Sequence, residues 1–401
     1  MTLVDLYDPD LYVAGPPHEV FAELRRTQPV HFQEMTGEPG YWMVLKHGDL
    51  VHVAREPRLF SASEGGVMLE NLEQGQLEMM RNMLLAMDPP RHVDYRRPVA
   101  PRFKARVIAQ MEPQIRAICR EIMANAAEKG DVEFVHDVTS SLPSRVIGQL
   151  MGLPEEDLPM IHRLAEMNTS GQDADYTMSS NASDVPQASI DMAMYAIEFA
   201  MRRRNEPPRE DLTTLLLETD FNGNYMTDID FGSFFVQLVT AGNDTTKTML
   251  ASGLLTLLEH PDQLAALRAD QSVVPGAVEE ILRYENPLHY FRRTATSDTE
   301  LRGVPIKAGD KVAMIYTSAN RDEDVFDDPQ SFDIRRSPNP HLSFGIAEHF
   351  CLGVHLARLE GKVFLEELFA TFPTIELTGD PLRVRSNLNN ALKALPIRLV
   401  R

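Results

Sequence analysis

Apolar positions recur at three- and four-residue spacing over most of the chain, the period of amphipathic helices. "PHEVFAELRRT" at 17–27 reads as one such helix, and short strands follow at 29–33 and at 41–45, "YWMVL". Helical spacing then dominates from 105 to 270. Within it "PQIRAICREIMANAAEKG" ends at Gly130, a fitting C-terminal cap, and carries Cys119 on its apolar stripe as a small buried hydrophobe. The longest helix is predicted between "TDID" at 227–230, which has the form of a capping box, and Pro261. About 32 residues at ~1.5 Å each span roughly 48 Å, and a helix apolar nearly all round is a central one. Met167 to Gln187, rich in Ser, Asp, Asn and Gly, reads as a loop between two helices. After 284 the pattern changes: "TELRG" and "DKVAMIY" around "VPIKAG" predict a small antiparallel sheet, and "TIEL" at 374–377 with "LPIRLV" at 395–400 predict a hairpin. The expectation is a mainly α fold over 1–401 as a single domain, with small antiparallel β-sheets and a minor β-rich part from about 29–60, 295–317 and 374–400.

Composition narrows the function classes. A formal net charge of −20 argues against nucleic acid as a partner, whose affinity comes largely from Lys and Arg. No apolar run reaches signal or membrane length, so no membrane anchor is expected. Two cysteines, Cys119 and Cys351, are too few for a disulfide framework and suit a cytoplasmic location.

Two features break the apolar pattern. The long helix carries a polar knot, Gly242, Asn243, Asp244, Thr245 and Thr246, inside "LVTAGNDTTKTML". Cys351 lies just before a helix predicted from Gly353 onward, where unpaired N–H groups favour a thiolate and lower the thiol pKa. A nucleophile with His349 or His355 as base and a metal ligand both remain open; a zinc site would want further cysteines nearby.

"FGIAEHFCLG" at 344–353 resembles the cysteine-ligand loop of the cytochrome P450 family, with Phe344, Gly345, His349, Cys351 and Gly353 in register and Ala347 where many members have Gly. "AGNDTT" at 241–246 resembles the family's oxygen-activation motif, and Glu280 and Arg283 in "EEILR" match its Glu-x-x-Arg pair. The resemblance implies the cytochrome P450 fold, a large helical domain with a long central helix. It implies haem b as cofactor, with Cys351 as axial ligand to the iron. His92 and Arg96 of "DPPRHVDYRR", Arg293 and His349 resemble the partners of the haem propionates. Asp244 and Thr245 would be the acid–alcohol pair that delivers protons for O–O cleavage, with Gly242 as clearance for O2. Arg336, in preference to Arg335, would complete the Glu280–Arg283 network.

The implied activity is a monooxygenase inserting one atom of O2 into a C–H bond of a hydrophobic small molecule. No flavin or iron–sulfur module is read in the sequence, so electrons are expected from a separate ferredoxin, drawn by the basic stretch 91–106 with Arg358 and Lys362 nearby. By analogy the pocket is roofed by 61–87, 160–201, 287–292 and 384–391, the first two rich in methionine, including Met178. Met83, Val239, Gly242 and Leu288 are the candidate pocket residues. Finer resemblances point to members acting on steroids, terpenoids and alkyl chains, although "SNLNNAL" near the C-terminus departs from their pattern. A peroxide-dependent peroxygenase and a haem-based sensor or binding protein are the rival expectations; Asp244 with Thr245 speak against the first, and the second would need no proton relay, so Thr245→Ala would be silent in it.

Overall fold

One helix organises the packing, and the others are best placed relative to it. The principal helices are α1 (His18–Thr27), α2 (Arg91–Val99), α3 (Glu112–Lys129), α4 (Ser141–Met151), α5 (Leu158–Ser170), α6 (Asp184–Arg203), α7 (Asp228–Glu259), α8 (Val274–Tyr284) and α9 (Val354–Thr371). The structure is a computed structural model that describes residues 4–170, 172–176, 184–221 and 223–401. The start of α7 is chemically fixed. Thr227 Oγ1 accepts the Asp230 N–H at 3.1 Å, and Asp230 Oδ2 accepts the Thr227 N–H at 3.2 Å. Its 32 residues end at Glu259, before Pro261. Phe231, Phe234, Phe235, Val239, Leu254 and Leu257 of α7 are fully buried. They join one core with Ile115 and Cys119 of α3 and Val363, Phe364 and Leu368 of α9. Burying each such large side chain stabilises the fold by roughly 1.5–3 kcal/mol. Burial pushes the Cys119 thiol up to about 12, so it behaves as an inert hydrophobe. Gly130 caps α3 at φ 72°, a conformation that favours glycine.

The strands are β1 (Val30–Met35), β2 (Glu38–Val44), β3 (Phe60–Ser61), β4 (Asp131–Glu133), β5 (Tyr290–Ala295), β6 (Thr299–Leu301), β7 (Val304–Ile306), β8 (Lys311–Ile315), β9 (Thr374–Leu377), β10 (Leu382–Arg383), β11 (Leu392–Ala394) and β12 (Pro396–Val400). They form sheets ordered β1-β2-β8-β5-β3, β4-β12-β9, β6-β7 and β10-β11. Three expectations change. The β8 segment does not pair with the β6–β7 hairpin; all five of its residues are buried, so it fills the sheet interior, parallel to β2 and antiparallel to β5. The segments "TIEL" and "LPIRLV" do pair, Ile397 with Leu377 and Leu399 with Ile375, but as two strands of a three-stranded sheet rather than a hairpin. The loop between α5 and α6 is shorter than 167–187, because Met167–Ser170 belong to α5 and α6 begins at Asp184. Its residues 171 and 177–183, Met178 among them, lie outside the described residues. Among the described residues no helix is long and apolar enough to cross a membrane.

Candidate active site

The loop before α9 holds Cys351 rigidly. Its N–H donates to Phe344 O at 2.8 Å, closing the loop. Gly345 and Ala347 turn the chain at φ 67° and 60°. From α2, Arg96 donates to the carbonyls of Glu348 at 3.2 Å and Phe350 at 2.5 Å, so a guanidinium braces the loop from below. The thiol faces a cavity holding about 1610 Å³ of atom-free space, open solvent included. Contrary to the expectation from the helix terminus alone, burial raises the Cys351 pKa, and the Gly353 N–H, Arg96 and Arg358 offset this only in part. A cation bound at the sulfur reverses that balance, because metal binding selects the thiolate.

Beside the cysteine, His92, Arg96, Arg293 and His349 line the same cavity. The His92 and His349 rings lie 4.4 Å apart. Both ring nitrogens of His92 and Nε2 of His349 are buried without a partner. Burial, then the charges of Arg96 and Arg293, pushes the His92 pKa down to about 4. Buried donors with nothing to donate to are costly. Their convergence on one side of the cavity calls for an anionic ligand.

The opposite wall is α7. Leu238, Ala241, Gly242, Thr245, Thr246 and Met249 line the cavity at helical spacing. Thr245 Oγ1 donates to Ala241 O at 2.8 Å. An added Cβ on Gly242 would lie 3.4 Å from Ile147 Cδ1 of α4, which lines the same cavity. Asn243, Asp244 and Lys247 occupy the other side of α7, against α5. There Lys247 Nζ lies 2.9 Å from Asp244 Oδ1 and 2.7 Å from Glu166 Oε1. His162 Nε2 is 3.4 Å from the same Glu166 oxygen, and its Nδ1 is 2.9 Å from Asn243 Nδ2. Neither Asp244 oxygen has a well-aligned donor, so its bond to Lys247 is ionic rather than directional. Burial raises the Asp244 pKa and Glu166 adds to it, against the pull of Lys247. No hydrogen bond joins Asp244 to Thr245 among the described residues; the two point to different sides of the helix.

Two of the four candidate pocket residues leave the list. Val239 lies fully in the core, because a step of roughly 100° per residue takes it off the cavity-lining stripe. Met83 packs against the core while its neighbours Leu84 and Leu85 line the cavity. Leu288 and Gly242 do line it, with Val67, Pro287 and Phe291. None of the described methionines in 61–87 and 160–201 does so; Met87, Met167 and Met192 are core, and Met160, Met194 and Met201 face solvent.

Behind the cysteine loop, Glu280 is fully buried. It accepts from Arg283 Nη2 and Nε at 2.7 and 2.8 Å, Arg336 Nε at 3.1 Å, Asn339 Nδ2 at 3.0 Å and the Asp333 N–H at 2.9 Å. Arg335 bonds through its backbone N–H to Asp333 instead. Ser343 Oγ donates to Leu282 O at 2.6 Å, which ties α8 to the residue before Phe344.

Comparison with known proteins agrees with this geometry. Residues 172–399 match the cytochrome P450 family. The chain belongs to the cytochrome P450 family. It is 35% identical over 399 residues to a steroid C26-monooxygenase of Mycolicibacterium smegmatis, covering 97% of this chain and 92% of that protein. It is 34% identical over 407 residues to cytochrome P450-terp of a Pseudomonas species, covering 96% and 94%. A solved Mycobacterium marinum cytochrome P450 in complex with pseudoionone superposes with a TM-score of 0.92 at 34% identity, covering 99% and 98% of the two chains.

A cytochrome P450 implies a haem-thiolate iron centre. The residues fit one: a lone thiol in a cavity wall, orphaned imidazole nitrogens, the buried Arg293 and the half-buried Arg96 beside it, and a hydroxyl-bearing helix opposite. The basic surface expected from the stretch 91–106 with Arg358 and Lys362 is smaller than the sequence suggests. Arg358 is bound to Glu279 by two hydrogen bonds at 2.7 Å, Lys362 pairs with Glu112 and Glu366 at 3.3 Å, and Arg97 pairs with Asp94 at 2.9 Å. Arg102, Lys104 and Arg106 remain exposed with no ion pair among the described residues. The sequence reading missed His162, Glu166 and Lys247. Lys247 had a signal: a lysine three residues after an acid, in an otherwise apolar helix, needs a counter-charge.

Proposed function

We propose that the protein inserts one oxygen atom of O2 into an unactivated C–H bond of a steroid- or terpenoid-like molecule, with haem b as cofactor and a ferredoxin as electron donor. The cavity carries this reading, with the Cys351 thiol on one wall, the Thr245 hydroxyl opposite, and Val67, Leu84, Leu85, Leu288 and Phe291 between and above them. The steroid C26-monooxygenase and P450-terp relatives support the substrate class. When bound, the haem would supply O2 activation and C–H oxidation, with a thiolate ligand donating electron density to the iron.

The chain does the rest. Cys351 would hold the haem iron as a thiolate, from a loop braced by Arg96 and by the Glu280 network. His92, Arg96, Arg293 and His349 would hold the haem's carboxylates by charge-assisted hydrogen bonds. The apolar side chains exclude water and press a hydrophobic substrate against α7. Thr245 holds a proton at Oγ1, now shared with Ala241 O, that can turn into the cavity. Asp244 replenishes it from the far side of α7, as a general acid whose pKa burial raises above the ordinary carboxylate value. Arg102, Lys104 and Arg106 offer an acidic ferredoxin its landing site near α9. The test is a panel of steroids and terpenoids, read by the haem spin-state shift and by product formed with ferredoxin and NAD(P)H. No shift with any compound, or better turnover with peroxide than with ferredoxin, overturns the proposal.

A further inference from the structure

Asp244 is buried, and a chain of contacts leads from it to the surface. His162 Nε2, Glu166 Oε1, Lys247 Nζ and Asp244 Oδ1 follow one another at 3.4, 2.7 and 2.9 Å. The Asp244 and Lys247 side chains are each 2% exposed and Glu166 10%, whereas His162 is 18% exposed. His162 and Glu166 line an open surface cleft, and Glu166 also borders a second one beside Arg163 and Lys393. With His162 neutral, the buried set holds two carboxylates and one ammonium, a net charge of −1. Such a charge in a water-poor interior binds one further proton, and the set offers it two ends, His162 toward the cleft and Asp244 toward the haem side.

Asn243 sets the register of that proton. Its Nδ2 lies 2.9 Å from His162 Nδ1, which makes Nδ1 the acceptor and leaves the ring proton on Nε2, facing Glu166. Asn243 Oδ1 is buried without a partner. Rotation of the amide therefore gives a doubly protonated ring an acceptor at Nδ1. One residue serves both protonation states of its neighbour.

We infer that His162, Glu166 and Lys247 form a proton wire that reloads Asp244 from the surface cleft, with Asn243 as the tautomer-setting residue. The inference rests on the monooxygenase reading above. His162 first takes a proton from cleft water at Nδ1, where the turned Asn243 amide accepts it through Oδ1, and the doubly protonated ring then gives its Nε2 proton to Glu166 Oε1; Glu166 passes it to Lys247 Nζ as Nζ releases one to Asp244 Oδ1, and exchange with cleft water returns the ring proton from Nδ1 to Nε2. Protonated Asp244 loses its ionic hold on Lys247 and is free to turn toward Thr245. Other charges face the wire. Tyr176 and Asp175 approach from the 174–176 turn, and His136, Glu121, Arg145 and Glu155 across the clefts. Lys247 stays charged throughout, its pKa raised by Asp244 and Glu166 against burial. Glu166, held down to about 2 by His162 and Lys247 against burial, carries the proton only in passing.

The test pairs two readouts on the haem-loaded protein. In the diamagnetic reduced, carbon-monoxide-bound state, proton–nitrogen spectra of histidine-labelled protein, assigned by loss of the signal in His162→Gln, should show the Nε2–H tautomer. In turnover, His162→Phe and Glu166→Gln should each lower product formed per NAD(P)H by at least about threefold, a small part of the ~10²–10⁴-fold that a full proton-transfer contribution supplies. The substrate-induced spin shift should stay unchanged, the solvent isotope effect on product formation should rise, and added imidazole should rescue His162→Phe. An Nδ1–H tautomer, or unchanged coupling and isotope effect in both variants while Thr245→Ala uncouples, overturns the wire alone. Full coupling in Thr245→Ala as well overturns the underlying monooxygenase reading.

Discussion

Replacing Glu280 by Gln keeps the side chain's shape and removes its charge. Oε1 accepts three hydrogen bonds, from Arg283, Arg336 and the Asp333 N–H, and Oε2 accepts two, from Arg283 and Asn339. Whichever oxygen becomes an amide NH2 then faces two or three donors as a donor. Arg283 and Glu280 are both 0% exposed, so water cannot compensate. Breaking a buried ion pair from one side costs about 3–5 kcal/mol. Arg283 keeps the carbonyls of Asn320, Pro329 and Ser331, and Arg336 keeps those of Asp327, Asp328 and Ser331. The expected loss is therefore at the lower end, about 3 kcal/mol, measured as a shift of the urea unfolding midpoint at constant m. Haem release should quicken in parallel, because the segment these carbonyls fix leads into the cysteine loop. Arg335→Ala, on an exposed side chain, should stay within about 0.5 kcal/mol. A Glu280→Gln loss below about 1 kcal/mol, or an equal loss in Arg335→Ala, refutes the reasoning.

Further outcomes follow from single residues. Ala347 sits at φ 60°, so Ala347→Gly should stabilise the cysteine loop by about 1 kcal/mol and slow haem release; chemical denaturation and transfer of haem to an acceptor protein measure the two effects. Burial pushes the Glu360 pKa up to about 8, with a weak opposing bond from Thr246. The folded state therefore holds a proton there that the unfolded chain gives up above its ordinary value of 4.5. The linked stability is full below that value and is lost as pH rises through 8, so Glu360→Gln should flatten the fall of the urea midpoint across this window by a few kcal/mol. Arg102→Glu with Lys104→Glu should raise the KM for ferredoxin several-fold at low salt, with the gap closing as ionic strength rises and kcat unchanged; steady-state kinetics over a salt series read it.

The long helix was legible because its signals are local. Thr227, Asp230 and Pro261 mark its ends, and the apolar residues between mark its burial. The cysteine loop was legible for the same reason, since its chemistry lies within ten consecutive residues. The strands Asp131–Glu133 and Tyr290–Ala295 were not. The first is three residues long and exists because Pro396–Val400 offers it an edge, and the second is buried at nearly every position and so lacks alternation. Val239 and Met83 failed as pocket residues because membership of a segment does not give the side chain's phase. The ties of Asp244 to Lys247, Glu166 and His162 depend on how α5 crosses α7, a contact between residues 81 apart in sequence for Lys247 and Glu166.

The central claim is that Cys351 carries the iron as a thiolate in a cavity built for haem. The absorption spectrum of the purified protein, reduced and exposed to carbon monoxide, tests it most directly. The expected result is the strongly red-shifted Soret band of thiolate-ligated haem, abolished in Cys351→His. A band at the position of imidazole- or thiol-ligated haem in the unaltered protein, or no bound haem at all, would contradict it.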